Sequence, residues 1–181
     1  MIQVIDNIIS ETYQNELEDT LFSESFNKIT SPKIRYYSNG NIGHEHWFIK
    51  KSQYLNMHQL IIPLFEEISK KSGILGKISD ARTFLQEKST NQNIHDIIHV
   101  DMVIPHFVFL YYVNNSDGET ILFDKRHTYG NSQFLVHGQK PNPLEKITPQ
   151  KGRVLIFDGL TYHAAGIPKE NNRCVINFNI I

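Results

Sequence analysis

The stretch DIIHVDMVIPHFVFLYYVN, residues 96–114, decides how this chain is read. Most of it reads as buried β-strand, dense in Val, Ile, Phe and Tyr. Yet His99 and Asp101 sit two apart in its first half, and His106 follows in the second. Side chains two apart on a strand project from the same face. An imidazole and a carboxylate would therefore point together into whatever the sheet encloses. A carboxylate in such a place requires a cation or hydrogen bonds.

Outward from this stretch, the chain from Ile78 onward has the same character. Eight short apolar runs follow one another: ARTFLQEKS (81–89), IIHVDMV (97–103), HFVFLYYVN (106–114), TILFD (120–124), QFLVH (133–137), LEKIT (144–148), GRVLIFD (152–158) and RCVINFNII (173–181). Turn residues separate many of them, as in Asn114–Gly118, Pro141–Pro143 and Pro149–Gly152. The N-terminal part is different. A short strand, IQVID, precedes a helix expected over Glu11–Phe22, and KIRYYSNGNIGHEHWFIK reads as two strands around a Gly/Asn turn. Apolar residues at helical spacing predict a second helix over residues 52–73, with Pro63 as an internal kink, Lys70 and Lys71 in its last turn and Gly73 at its end. Helices first and many short strands after predict a mainly β, α+β fold: a jelly roll backed by N-terminal helices. The expectation is one domain, with residues 1–77 an elaboration and residues 78–181 the β core.

Composition excludes several classes. Of 181 residues, 40% are hydrophobic and 20% charged, and the net charge of −1 leaves no basic footprint for nucleic acid. The single cysteine, Cys174, cannot form an internal disulfide. The N-terminus lacks the cationic start of a secretory signal, and the longest apolar run, near Val103–Val113, is too short to span a bilayer. A cytosolic protein without a membrane partner is expected. Nine histidines are the one unusual count.

Two ligands leave a transition metal underfilled, so His99 and Asp101 call for a third. His163, in FDGLTYHAAGIP after the strand GRVLIFD, is the best candidate. Two histidines and one carboxylate on one face of an octahedral ion form the facial triad of non-haem Fe(II) oxygenases, which leaves open positions for a 2-oxoacid and O₂. Such a cosubstrate has a second carboxylate. Arg173, ten residues past His163, suits it as a bidentate partner, and Tyr111 and Thr120 are candidate hydroxyls beside that arginine.

These residues, with FLYYVN, DGETILF, PQKGRVLIF, YHAAGIP and RCVINFN around them, resemble the 2-oxoglutarate/Fe(II)-dependent dioxygenase superfamily, in its prolyl 4-hydroxylase-like branch. The match runs from about Arg82 to the C-terminus, and the N-terminal layout VIDNIISETYQNELE is similar to short members from phages and bacteria. The resemblance implies a double-stranded β-helix (the cupin-like jelly roll) with iron on His99, Asp101 and His163. It implies that Arg173 holds the distal carboxylate of 2-oxoglutarate with help from Tyr111, and that Gln86 or Thr83 contributes from the strand before His99. Fe(II), 2-oxoglutarate and O₂ would be required, with ascorbate as an accessory reductant. Iron halogenases of this superfamily have a small residue where this chain has Asp101, so hydroxylation is implied. The implied substrate is a prolyl residue in a peptide or protein, or alternatively a small molecule.

Other readings fit less well. Nucleobase demethylases of the same scaffold have a second arginine six residues past the first, where this chain has Asn179. A non-catalytic cupin-like binding domain would be expected to have lost a ligand or the arginine. His44 and His46, in a tract with Tyr36, Tyr37 and Trp47, are also two apart, but no carboxylate pattern completes a metal site around them. The aromatic residues of that tract would line a peptide groove or pack on the core. His95, His106, His127 and His137 have no assigned role, and Cys174 is expected to face away from Arg173.

Overall fold

A computed structural model describes residues 1–30, 32–36, 42–90, 95–135 and 141–181. Strand β1 (Ile2–Ile5) leads to Ser10, whose hydroxyl accepts from the Tyr13 N–H and caps α1 (Glu11–Leu21). A short α2 (Glu24–Thr30) follows. The pair expected around the Gly/Asn turn is present as β2 (Lys33–Tyr36) and β3 (Ile42–Lys50), with β4 (Gln53–Tyr54) pairing the end of β3 on the same edge as β2. Helix α3 (Ile62–Ser72) ends at Gly73, whose φ of 72° is left-handed. Seven strands complete the chain: β5 (Ile78–Gln86), β6 (Phe107–Tyr112), β7 (Thr120–Arg126), β8 (Pro143–Ile147), β9 (Val154–Asp158), β10 (Thr161–Ala165) and β11 (Arg173–Ile180).

Among the described residues these strands make two antiparallel sheets. The larger runs β1-β9-β6-β11-β5-β3-β2 and the smaller runs β10-β7-β8. One face of the larger sheet packs under the helices, where Leu17, Leu21, Leu64 and Ile68 meet Phe109, Ile156, Ile176 and Phe178. The other face meets the smaller sheet through Val108, Leu110, Tyr112, Leu122, Leu155, Phe157 and Val175. Strand β11 is buried along its whole length because both of its faces are covered. Its even residues (Cys174, Ile176, Phe178, Ile180) join the helix-side core, while Arg173 and Asn177 line a cavity between the sheets. Cys174 thus faces away from Arg173, as expected.

Four expectations change. The helix over residues 52–73 is only half helix: β4 and a 3₁₀ turn at His58–Leu60 occupy its first part. Pro63 has no N–H to donate, and it sits in the first turn of α3 rather than kinking its interior. The run IIHVDMV is not a regular strand. Only Ile98–Val100 are ladder-like, with His99 N–H and C=O paired to His163 and with Ile98 and Val100 paired to Leu135 and Gln133. Beyond that, Asp101 and the residues before Pro105 bend away. QFLVH shows one isolated bridge at Phe134, and its last two residues, Val136 and His137, lie outside the described residues.

Candidate metal centre

The paired backbones of His99 and His163 place the two imidazoles side by side on the smaller sheet, with ring centroids 4.7 Å apart. The chain then turns Asp101 back toward them, and the Gln133 side-chain amide pins that turn by donating to the carbonyls of Val100 and Asp101. The ligand atoms of His99, Asp101 and His163 all lie within 4.8 Å of one another. Among the described residues no other group of three His, Cys, Asp or Glu side chains comes together in this way.

The hydrogen bonds show what the three residues are prepared to hold. His99 Nδ1 lies 2.9 Å from the Ile97 carbonyl and His163 Nδ1 3.0 Å from the Thr161 carbonyl. A carbonyl only accepts, so each Nδ1 carries a proton, and in the neutral ring Nε2 is the atom that presents a lone pair. Those lone pairs face Asp101, with Nε2 of His99 3.6 Å from Oδ1 and Nε2 of His163 3.9 Å from Oδ2. These gaps exceed hydrogen-bond length. Burial and the neighbouring His99 lower His163 to about 4, so it is neutral at pH 7. Burial works to raise Asp101, but His99, Arg82 and His163 outweigh it and hold its carboxyl well below the usual range. Two imidazoles and one carboxylate whose Nε2 and oxygen atoms converge are a donor set for a divalent cation, and the residues fit Fe(II).

Asp101 is itself held. Its side chain is 2% exposed, with Oδ1 accepting from Arg82 Nη2 at 3.0 Å and Oδ2 from Asn177 Nδ2 at 2.9 Å. Neither residue was assigned a role from sequence. Asn177 was legible by parity, since it shares a strand face with Arg173, two strand repeats away.

A cavity of about 670 Å³ opens over the triad. Arg173 and Thr120 line it away from the His-Asp-His triad, and Ile34, Ile97 and Phe134 stand at half-exposed positions of its wall. Arg173 is 3% exposed and donates to Thr120 Oγ1 at 2.9 Å. The tyrosine beside it is Tyr112, not Tyr111. Tyr112 Oη donates to the same Thr120 Oγ1 at 2.7 Å, and the Arg173 guanidinium lies 5.8 Å from its ring centroid. Tyr111 points to the helix-side core because β6 alternates, and its hydroxyl is buried without a partner. Gln86 pairs with Arg173 across the sheet but donates to Asp96, and the atom left without a partner is its carbonyl oxygen, an acceptor. Thr83 faces the other way and donates to the Val175 carbonyl.

The remaining histidines have local partners. His44 contacts Glu87 at 2.7 Å, and His46 packs on Phe26 and Phe48 and is lowered by burial. His106 lies against Gly159. Tyr37 and His137 lie outside the described residues.

No family model matches the chain, and no curated protein matches it. Solved structures do. A prolyl hydroxylase from Trichoplax adhaerens, in complex with a hypoxia inducible factor oxygen degradation domain peptide fragment, matches with TM-score 0.63 and 14% identity over 99% of this chain and 83% of that one. A 2OG-Fe(II) oxygenase family oxidoreductase from Burkholderia pseudomallei matches with TM-score 0.67 and 11% identity over 99% and 85%. The non-haem α-ketoglutarate-dependent carbocyclase SnoK from nogalamycin biosynthesis matches with TM-score 0.67 and 9% identity over 98% and 78%. The chain therefore has the double-stranded β-helix fold of the 2-oxoglutarate/Fe(II) oxygenases, with a His-Asp-His donor set in its cavity.

Proposed function

We propose that the protein is a 2-oxoglutarate- and Fe(II)-dependent dioxygenase that hydroxylates a C–H bond, with a prolyl residue of a peptide or protein as substrate. One observation carries this reading: His99, Asp101 and His163 converge on a cavity whose far wall presents Arg173. His99 Nε2, Asp101 and His163 Nε2 hold the metal. Arg173 pairs with the distal carboxylate of 2-oxoglutarate. Thr120 Oγ1 accepts from both Tyr112 and Arg173, so its own proton points elsewhere and is available to that carboxylate. Burial pushes Tyr112 up to about 12, so it stays a neutral donor. Leu110, Val108, Phe157 and Val175 supply an apolar lining that excludes water from the reacting carbon. Iron bound at the triad would couple decarboxylation of 2-oxoglutarate to succinate and CO₂ with O₂ activation and substrate oxidation.

The apolar, half-exposed Ile34, Ile97 and Phe134 at the wall support a chain-like substrate that extends past the cavity. Hydroxylation of a small molecule is the second reading, favoured by the likeness to a carbocyclase of nogalamycin biosynthesis. The test is succinate formation dependent on both Fe(II) and 2-oxoglutarate, followed by a peptide-versus-metabolite screen for gain of one oxygen atom. Asp101→Ala and Arg173→Ala are expected to abolish succinate formation. Full activity in Asp101→Ala would remove the triad assignment.

A further inference from the structure

Arg82 is neither a metal ligand nor part of the carboxylate-binding wall, yet it joins three groups. Its Nη2 donates to Asp101 Oδ1 and its Nη1 to Glu45 Oε1, each at 3.0 Å. Both carboxylates are 2% exposed. The guanidinium also lies 5.1 Å from the ring centroid of Trp47, its partner across β3 and β5. We propose that Arg82 is a positioning residue of the metal centre, which fixes the plane of Asp101 and couples occupancy of the centre to Trp47. This rests on the reading of the triad as a metal site.

The geometry argues for positioning. A carboxylate can rotate about its Cβ–Cγ bond, but Arg82 holds one oxygen and Asn177 the other, so rotation breaks both bonds at once. The lone pairs that remain are those directed at His99 and His163. Lysine could supply the charge but not the planar fork that spans Asp101 and Glu45 together.

Charge argues for coupling. Glu45, Arg82 and Asp101 sum to −1, and a divalent ion takes the cluster to +1. Without metal, Arg82 balances a buried carboxylate that would otherwise be strongly disfavoured. With metal, the ion repels the guanidinium while Glu45 retains it. The balance of Arg82 between its two carboxylates therefore shifts on loading, and the Trp47 ring beneath it senses the change. Trp47 is the one tryptophan in the chain, so its emission reports the shift without overlap.

Zinc serves as the probe because it is diamagnetic and does not itself quench indole emission. Affinity is measured by competition with a chromogenic chelator, with Trp47 emission followed in parallel. In the wild type, emission should change in step with occupancy. Arg82→Met should bind zinc roughly 10–100-fold more weakly and lose the emission response even at saturation. Arg82→Lys should bind with intermediate affinity, and it carries the test if the methionine variant does not fold. Trp47→Phe should keep the affinity and lose the signal. Unchanged affinity in both Arg82 variants, or a silent wild type with zinc bound, would overturn the inference. Zinc binding that survives Asp101→Ala is a different result: it removes the metal-centre reading itself, and this inference with it.

Discussion

Thr120 Oγ1 receives hydrogen bonds from Tyr112 and Arg173, so the three residues act as one unit. Removing the Tyr112 hydroxyl leaves Thr120 to rotate its own proton away from the cavity. Tyr112→Phe is therefore expected to weaken 2-oxoglutarate binding by up to about 10-fold, measured as KM or by calorimetry on metal-loaded protein. Tyr111 predicts the opposite behaviour. Its hydroxyl is buried with no partner, and burial pushes its pKa well above that of a free tyrosine. Tyr111→Phe removes an unsatisfied polar group and should stabilise the fold by about 1 kcal/mol in denaturant unfolding, with 2-oxoglutarate binding unchanged. A loss of cosubstrate affinity in Tyr111→Phe would reverse this assignment. The sequence carried both tyrosines but not the choice between them. That choice depends on register: Val175 opposes Tyr112, so odd residues of β11 share a face with even residues of β6. Register arises from long-range pairing, and no local signal in YYVN encodes it. The grouping of His99 and Asp101 was legible because their polarity conflicts with an apolar context.

At the scale of elements, the corner between β9 and β10 accounts for His106, which had no chemistry to perform. The Gly159 N–H donates to the His106 carbonyl at 2.9 Å, and the His106 ring lies where a Cβ on Gly159 would be. The corner delivers His163 to the cavity, so its tightness matters to the site. Gly159→Ala should destabilise the protein by about 1–3 kcal/mol through overpacking. In the double variant with His106→Ala the two effects should be less than additive, because the clash has been removed, and a double-mutant cycle in urea measures this. Strict additivity would show that the contact is not the source. This corner also shows where element reading runs out. TYHAA interrupts its apolar residues with Thr161 and His163, so β10 has no run to detect, although it pairs with β7 on both sides of a bulge between Thr161 and His163. By contrast, RCVINFNI and VLIFD are apolar enough to read as strands from sequence alone. Pro63 was visible but misplaced, since a missing N–H suits a helix start as well as a kink.

At the scale of the whole molecule, the His-Asp-His triad lies between two sheets, so its protonation is tied to folding. Buried His163 titrates at about 4 in the fold against about 6.5 unfolded. Between these values the unfolded chain binds a proton that the folded chain refuses. Stability of the metal-free protein must therefore rise with pH across this window and is lost as pH falls from about 6.5 to about 4. The slope approaches 1.4 kcal/mol per pH unit, and the total is on the order of 3 kcal/mol. Asp101 adds a separate loss at lower pH, because its carboxyl is held below the usual range and must be protonated as the fold gives way. Urea unfolding of chelator-treated protein between pH 7 and pH 4.5 should show the first loss, and His163→Gln should flatten it. His46, which burial also lowers, is present in both proteins, so its share cancels in the difference between the two curves. Zinc binds the lone pair that the proton would take, so it should add stability at pH 7 and progressively less as the pH falls through the same window. If the wild-type and His163→Gln curves run parallel, then His163 is not held neutral by its burial between the sheets, and the lone pair that the centre requires is not prepared by the fold.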